Sequence, residues 1–136
     1  MKLIILLTYL DIVLTSYYEL ALLKCPSSDI FTIHGLWPNE INYPEFCSKE
    51  KFNIDEIQPV LNEMNTFWKS CYENNTLFWT HEWSKHGTCT KMTQLNYFNK
   101  TIDLYHNAIT NNYTQYCDKN ELDCQLNYDH DFNFIK

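Results

Sequence analysis

The apolar positions of this chain change period along its length, and the changes mark its elements. Tyr17-Tyr18-Glu19-Leu20-Ala21-Leu22-Leu23 is a nearly continuous apolar run and predicts a buried strand. Ile30-Phe31-Thr32-Ile33-His34 alternates and predicts a second strand, stopped by Gly35 and Pro38. Residues 39–52 are polar, carry Pro44 and Cys47, and read as a loop. Asn53, with Glu56 three residues on, fits a helix capping box, and Val60, Leu61, Met64, Phe67 and Trp68 keep helical spacing. Pro59 should break or restart that helix. Asn74-Asn75 predicts a turn, and residues 78–86 predict a short helix ended by Gly87. Residues 93–110 form the most regular helical pattern, with Leu95, Phe98, Ile102, Tyr105 and Ile109 on one face. The tail, residues 122–135, alternates about a polar centre and predicts a β-hairpin turning near residues 128–131. Helices and strands mix without a βαβ rhythm, so the predicted class is α+β, a mainly antiparallel sheet flanked by helices.

Composition narrows what such a fold could do. A chain of 136 residues fits one domain, and 45% hydrophobic residues supply a real core. The formal net charge of -7 excludes packaging of nucleic acid by bulk electrostatics. It leaves open a local cationic cluster, reinforced at acid pH by the five His residues. Only two Gly argue against a Gly-rich phosphate loop. Six Cys in a short chain read as up to three disulfides made in an oxidising compartment. Spacing does not choose among the 15 pairings, and the absence of paired C-x-x-C spacing speaks against a zinc ribbon.

The N-terminus has a basic start and an apolar run, Met1-Lys2-Leu3-Ile4-Ile5-Leu6-Leu7, the outline of a secretory signal over residues 1–16 despite Asp11. Residues 17–136 would then be a single domain. Sequons at Asn74, Asn99 and Asn112 agree with a secreted glycoprotein. No other stretch has the length and apolarity of a membrane span, so the mature chain is expected off the membrane and monomeric.

The chemistry concentrates in Phe78-Trp79-Thr80-His81-Glu82-Trp83-Ser84-Lys85-His86-Gly87-Thr88-Cys89. At about 100° per helical residue, His81, Glu82, Lys85 and His86 lie within roughly a 140° arc. His81 and Lys85 are i,i+4 neighbours, as are Glu82 and His86, while Trp79 and Trp83 fall elsewhere and can anchor the helix. Two imidazoles and an ammonium offer donors to an anion, and a carboxylate beside them can orient an imidazole. Phosphoryl transfer needs such a set and a second acid–base group on the far side of phosphorus, which His34 can supply. Taken singly, His34 on its strand is better explained as a satisfied core or surface histidine, and the Glu, Lys and His residues as a solvated helix face with weak ion pairs. A zinc site of H-E-x-x-H type fits poorly, because the second His comes one residue late.

Phe31-Thr32-Ile33-His34-Gly35-Leu36-Trp37-Pro38, followed by the segment from Phe78 to Cys89, closely resembles the two active-site segments of the ribonuclease T2 family, in the right order. Weaker similarity extends over Tyr18-Glu19-Leu20-Ala21-Leu22 and the tail hairpin, so the resemblance spans most of residues 17–136. It implies an α+β fold and a metal-independent, cofactor-free endoribonuclease (a hydrolase or lyase in reaction terms) acting on RNA by way of a 2′,3′-cyclic phosphate. On that resemblance His86 matches the general base and His34 the general acid. His81, Glu82 and Lys85 match residues that bind the phosphate and stabilise the transition state, and Trp37 matches a residue lining the site. Cys47 and Cys89 match a family disulfide, while Cys25, Cys71, Cys117 and Cys124 find no ready match. The family's members are secreted, vacuolar or lysosomal.

The chain departs from the family in two ways. It is shorter than typical members, with material missing between Cys25 and Ile30 and between Thr110 and Cys117. Leu23-Lys24-Cys25-Pro26 stands where the family runs a Gln-Trp-Pro-like stretch that helps bind a base. Base preference, and a base-binding role for Asn39 or Tyr43, are therefore not carried over. The competing readings are a non-catalytic secreted glycoprotein of the same fold and, further off, a zinc-dependent hydrolase using His81, Glu82 and His86.

Overall fold

The computed structural model describes residues 17–40 and 42–136. The signal segment expected over residues 1–16 lies outside them. Four strands, β1 (Tyr18–Leu23), β2 (Thr32–Pro38), β3 (Asp123–Tyr128) and β4 (Phe134–Ile135), form one sheet in the order β2-β1-β3-β4 with every pair antiparallel. Three α-helices, α1 (Leu61–Phe67), α2 (Asn75–Lys85) and α3 (Gln94–Thr110), lie between β2 and β3 in sequence. The fold is the α+β arrangement expected from the pattern.

β1 is central, paired on both edges, which suits its apolar run. Leu20 and Leu22 are fully buried and stand opposite Leu36 and Ile33 on one side and Leu126 and Cys124 on the other. This face meets α3, whose Tyr97 hydroxyl donates to the Leu36 carbonyl at 3.1 Å. Glu19, Gly35 and Trp37 alternate onto the other face.

β2 does not stop at Gly35, as the alternating pattern predicts, but runs on to Pro38. Ala21 pairs with Gly35 while Leu22 pairs with Ile33, so His34 is an extra residue with no partner on β1. That is a β-bulge. It shifts the inward positions from Ile33 to Leu36, three residues apart, both fully buried. Pro38 fits at the end of an edge strand, where its missing N–H breaks no ladder bond.

The region after Asn53 is a 3-10 helix, Ile54–Val60, before α1 begins. Pro59 sits within it, and the α-helix restarts two residues later. The Asn53 side chain caps it by accepting from the Asp55 N–H. Asn74 is not merely a turn residue: its side chain accepts from the N–H groups of Thr76 and Leu77, so α2 starts at Asn75 rather than Phe78. Gly87 follows the end of α2 but not as a left-handed cap, since its φ is not positive. A side chain there would collide with the Trp83 ring, so close approach is what demands glycine. Along α3 the buried face is Tyr97, Phe98, Thr101, Ile102, Leu104, Tyr105 and Ala108. Ile109, expected on that face, is exposed.

Three disulfides join Cys25 to Cys71, Cys47 to Cys89, and Cys117 to Cys124. The second is the pairing implied by resemblance; the first ties the loop after β1 to the loop after α1.

Candidate active site

β2 and α2 bring the chemistry together from opposite sides of one cleft. The cleft is lined by His34 and Trp37 from β2, His81, Glu82 and Lys85 from α2, and His86 just beyond it, with Glu19, Pro38, Tyr43, Pro44 and Glu45 completing the wall. All six site residues expected from the sequence other than the disulfide and sequon positions therefore meet in one place.

Glu82 is the hinge of the arrangement. Only 1% of it is exposed, although it belongs to a helix face that reads as polar. Its Oε2 accepts the Trp37 indole N–H at 2.9 Å, and its Oε1 lies 3.4 Å from His34 Nε2. The carboxylate thus reaches across to β2, rather than only along its own helix. Gly35 makes room for it: a Cβ at that position would collide with Glu82 Oε2 and come within 2.6 Å of Trp37 Nε1.

His86 is nearly buried at 8% exposure. Its ring stacks on Trp37 at 5.0 Å between centroids, while the His34 ring meets Trp37 edge-on at the same separation. Trp37 therefore stands between the two imidazoles as a shared wall. Burial pulls the His86 pKa down to about 4, with Lys85 and His81 adding to the effect and Glu82 and Glu45 opposing it. The ring is consequently neutral in mildly acidic solution, with a lone pair free to accept a proton.

Lys85 stays half-exposed and pairs with Glu45 at 3.4 Å. His81 is exposed one turn earlier on the same helix. Glu45 was not distinguishable in the sequence from other loop acids. It is placed by the Cys47–Cys89 disulfide, by the Phe46 N–H bond to the Lys85 carbonyl at 2.9 Å, and by the Cys47 N–H bond to Thr88 Oγ1 at 3.1 Å. Glu19 was likewise missed. It sits on β1 opposite Trp37, and burial raises its pKa. Asn74, Asn99 and Asn112 are all exposed, which leaves each open to modification.

No described group of three or more His, Cys, Asp or Glu side chains is arranged to hold a metal ion.

An antiparallel sheet with one bulged histidine faces a helix that carries His81, Glu82 and Lys85 and is capped by His86, so three histidines and a buried carboxylate share one cleft. The Ribonuclease T2 family model matches residues 14–133, and the chain belongs to that family. Ribonuclease DdI of Dictyostelium discoideum is 47% identical over 83 residues, covering 57% of this chain and 37% of that protein. The solved structure of ribonuclease MC1 from bitter gourd seeds matches with a TM-score of 0.61 and 32% identity over 68% of this chain and 58% of that one. The crystal structure of human RNase T2 matches with a TM-score of 0.63 and 30% identity over 74% of this chain and 61% of that one. The chain spans only 37% of the length of the Dictyostelium relative and 32% of that of human ribonuclease T2.

Proposed function

We propose that this chain is a metal-independent endoribonuclease that cleaves RNA by transesterification. One observation carries the reading: a buried histidine kept neutral by its surroundings shares a cleft with a second histidine held beside a buried carboxylate. That is the pairing of a base and an acid on two sides of a reacting phosphate.

In the first step neutral His86 takes the proton from the ribose 2′-hydroxyl. The 2′-oxygen attacks phosphorus, the bond to the 5′-oxygen breaks, and His34 delivers a proton to that leaving oxygen. The products are a 2′,3′-cyclic phosphate and a free 5′-hydroxyl. Lys85 and His81 supply positive charge to the phosphate oxygens, where negative charge is densest in the transition state. Glu82 orients His34 and, when that ring is protonated, forms a charge-assisted contact with it. The nucleophile belongs to the substrate, so the step needs no metal-bound water, and DNA lacks the group that attacks. Solved neighbours include ribonuclease MC1 variants in complex with 5′-GMP and 5′-UMP, which supports a nucleotide ligand for a cleft of this kind.

The same reading includes a secreted glycoprotein with a leader over residues 1–16, a domain from residue 17 on, and sugars on Asn74, Asn99 and Asn112. Three disulfides support an oxidising destination.

The test is incubation of the folded protein with RNA at pH 5 in excess chelator. Cleavage to cyclic-phosphate ends is expected. A folded protein that leaves RNA intact would make the chain a non-catalytic member of the fold, and activity that returns only with zinc would make it a metallohydrolase.

A further inference from the structure

The bulge that presents His34 also leaves it without a register partner on β1, because the ladder passes from Gly35 to Ile33. A carbonyl at such a position needs a donor if it is shielded from water. The structure supplies one from an unexpected direction. The indole N–H of Trp68 donates to the His34 carbonyl at 2.8 Å.

Trp68 is itself held at several points. It is fully buried and caps the end of α1, its own N–H bonding the Met64 carbonyl at 2.9 Å. Its ring packs against Phe98 on α3 at 5.0 Å. Its carbonyl accepts the indole N–H of Trp79 at 2.7 Å. Trp79 belongs to α2, the helix that carries His81, Glu82 and Lys85, and is 1% exposed.

A continuous line of two hydrogen bonds therefore runs from the His34 backbone, through Trp68, to α2. It joins the two elements whose side chains must meet across the cleft. We infer that Trp68 is a positioning residue for His34: its indole N–H fixes the bulge and sets the imidazole against Glu82, and Trp79 references that position to α2. The role rests on the ribonuclease reading for its effect on rate, but not for its effect on the His34 ring. Bulges re-aim side chains, and a misplacement of about 1 Å in a catalytic group can lower a rate about 100-fold.

The test separates the N–H from the bulk of the ring. Replacing Trp68 with benzothienylalanine, an isostere that lacks only the indole N–H, keeps the packing on Phe98. Trp68→Phe is the simpler companion. Trp83→Phe is the matched control: it removes another buried indole, whose N–H bonds the Glu50 carbonyl at 3.2 Å outside this line. Each protein is assayed for kcat, KM, the pH–rate profile, thermal midpoint and the titration of the His34 ring by NMR.

The expected result is a fall in kcat of about tenfold or more for both Trp68 variants, with KM within about twofold. The His34 NMR titration and the matching limb of the pH profile should move, while the control shows neither change at a similar loss of thermal midpoint. A Trp68 isostere with unchanged kcat and an unchanged His34 titration overturns the assignment, as does a control that loses kcat equally. If the wild-type protein cleaves no RNA, the catalytic reading fails, and the NMR titration still decides whether the N–H positions the ring. If Trp68→Phe does not fold, the isostere and Trp79→Phe carry the same comparison.

Discussion

His34 Nε2 and Glu82 Oε1 face each other at 3.4 Å from two elements that lie 48 positions apart in the chain. The carboxylate is buried and the imidazole is partly open to the cleft. Glu82→Gln keeps an oxygen for the Trp37 indole but removes the charge that faces His34. The expected outcome is a fall in kcat of about 10- to 100-fold with near-native thermal stability. Steady-state cleavage of a short RNA and a melting curve on the same preparation check it.

On the proposed mechanism, His34→Ala and His86→Ala each remove one proton carrier. Each should lower kcat by at least about 100-fold while the other stays titratable. A burst of cyclic-phosphate product of near wild-type size in either variant would overturn the role assignment.

The depressed pKa of His86 makes a signed prediction for stability. Unfolding returns the ring to an ordinary imidazole value of about 6.5, whereas the folded value is about 4. Between these limits the unfolded chain binds more protons, so the unfolding free energy rises with pH across the window. This contribution is complete above the unfolded value and is lost as pH falls through the window toward the folded value. Its size is on the order of 3 kcal/mol. Urea unfolding of the wild type and His86→Ala at pH 4, 5, 6 and 7 should show a steeper slope in the wild type.

Gly35→Ala places a methyl group against Glu82 Oε2 and the Trp37 indole. Both partners would have to move, at an expected cost of about 1–3 kcal/mol. Activity should fall further than stability alone explains, because the displaced groups are the ones that orient His34. Activity per folded molecule, measured well below the melting temperature, distinguishes the two effects.

The Cys47–Cys89 bond closes a separation of 42 residues and holds Glu45 and Phe46 against the end of α2. The double change Cys47→Ser with Cys89→Ser should cost about 2–4 kcal/mol. It should also raise KM, because Lys85 loses the loop that pairs with it. Calorimetry and substrate titration on the double variant read the two consequences separately.

The sequence displayed the helical half of the site more openly than the strand half. On α2 and its C-terminal cap, helical geometry alone put His81, Glu82, Lys85 and His86 together, and the tryptophans were correctly assigned to the core. The β2 half was harder, because a bulge breaks the two-residue period on which strand reading depends. The clue was present in Ile33 and Leu36, two core residues three positions apart, but Gly35 between them invited the reading of a stop. Glu45 was out of reach, because a covalent bond between distant positions places it and spacing does not predict that bond. Asn74 was read as a turn because turn and cap use the same residue types for the same reason, a side-chain oxygen that satisfies nearby backbone N–H groups.

Because β2 changes phase at His34, it behaves as two half-strands with different reading frames. The first half is counted inward from Ile33 and the second from Leu36, and of the two adjacent positions between them His34 is partly open while Gly35 is buried against Glu82 and Trp37. This lets an imidazole and an empty Cα stand side by side, the second leaving room for the carboxylate that faces the first. The transplantable unit is therefore a step rather than a residue. A histidine grafted into an unbroken strand of the same composition would face either the core or a neighbour's side chain. Grafting Ile33-His34-Gly35-Leu36 with the indole that clasps it would move the geometry intact.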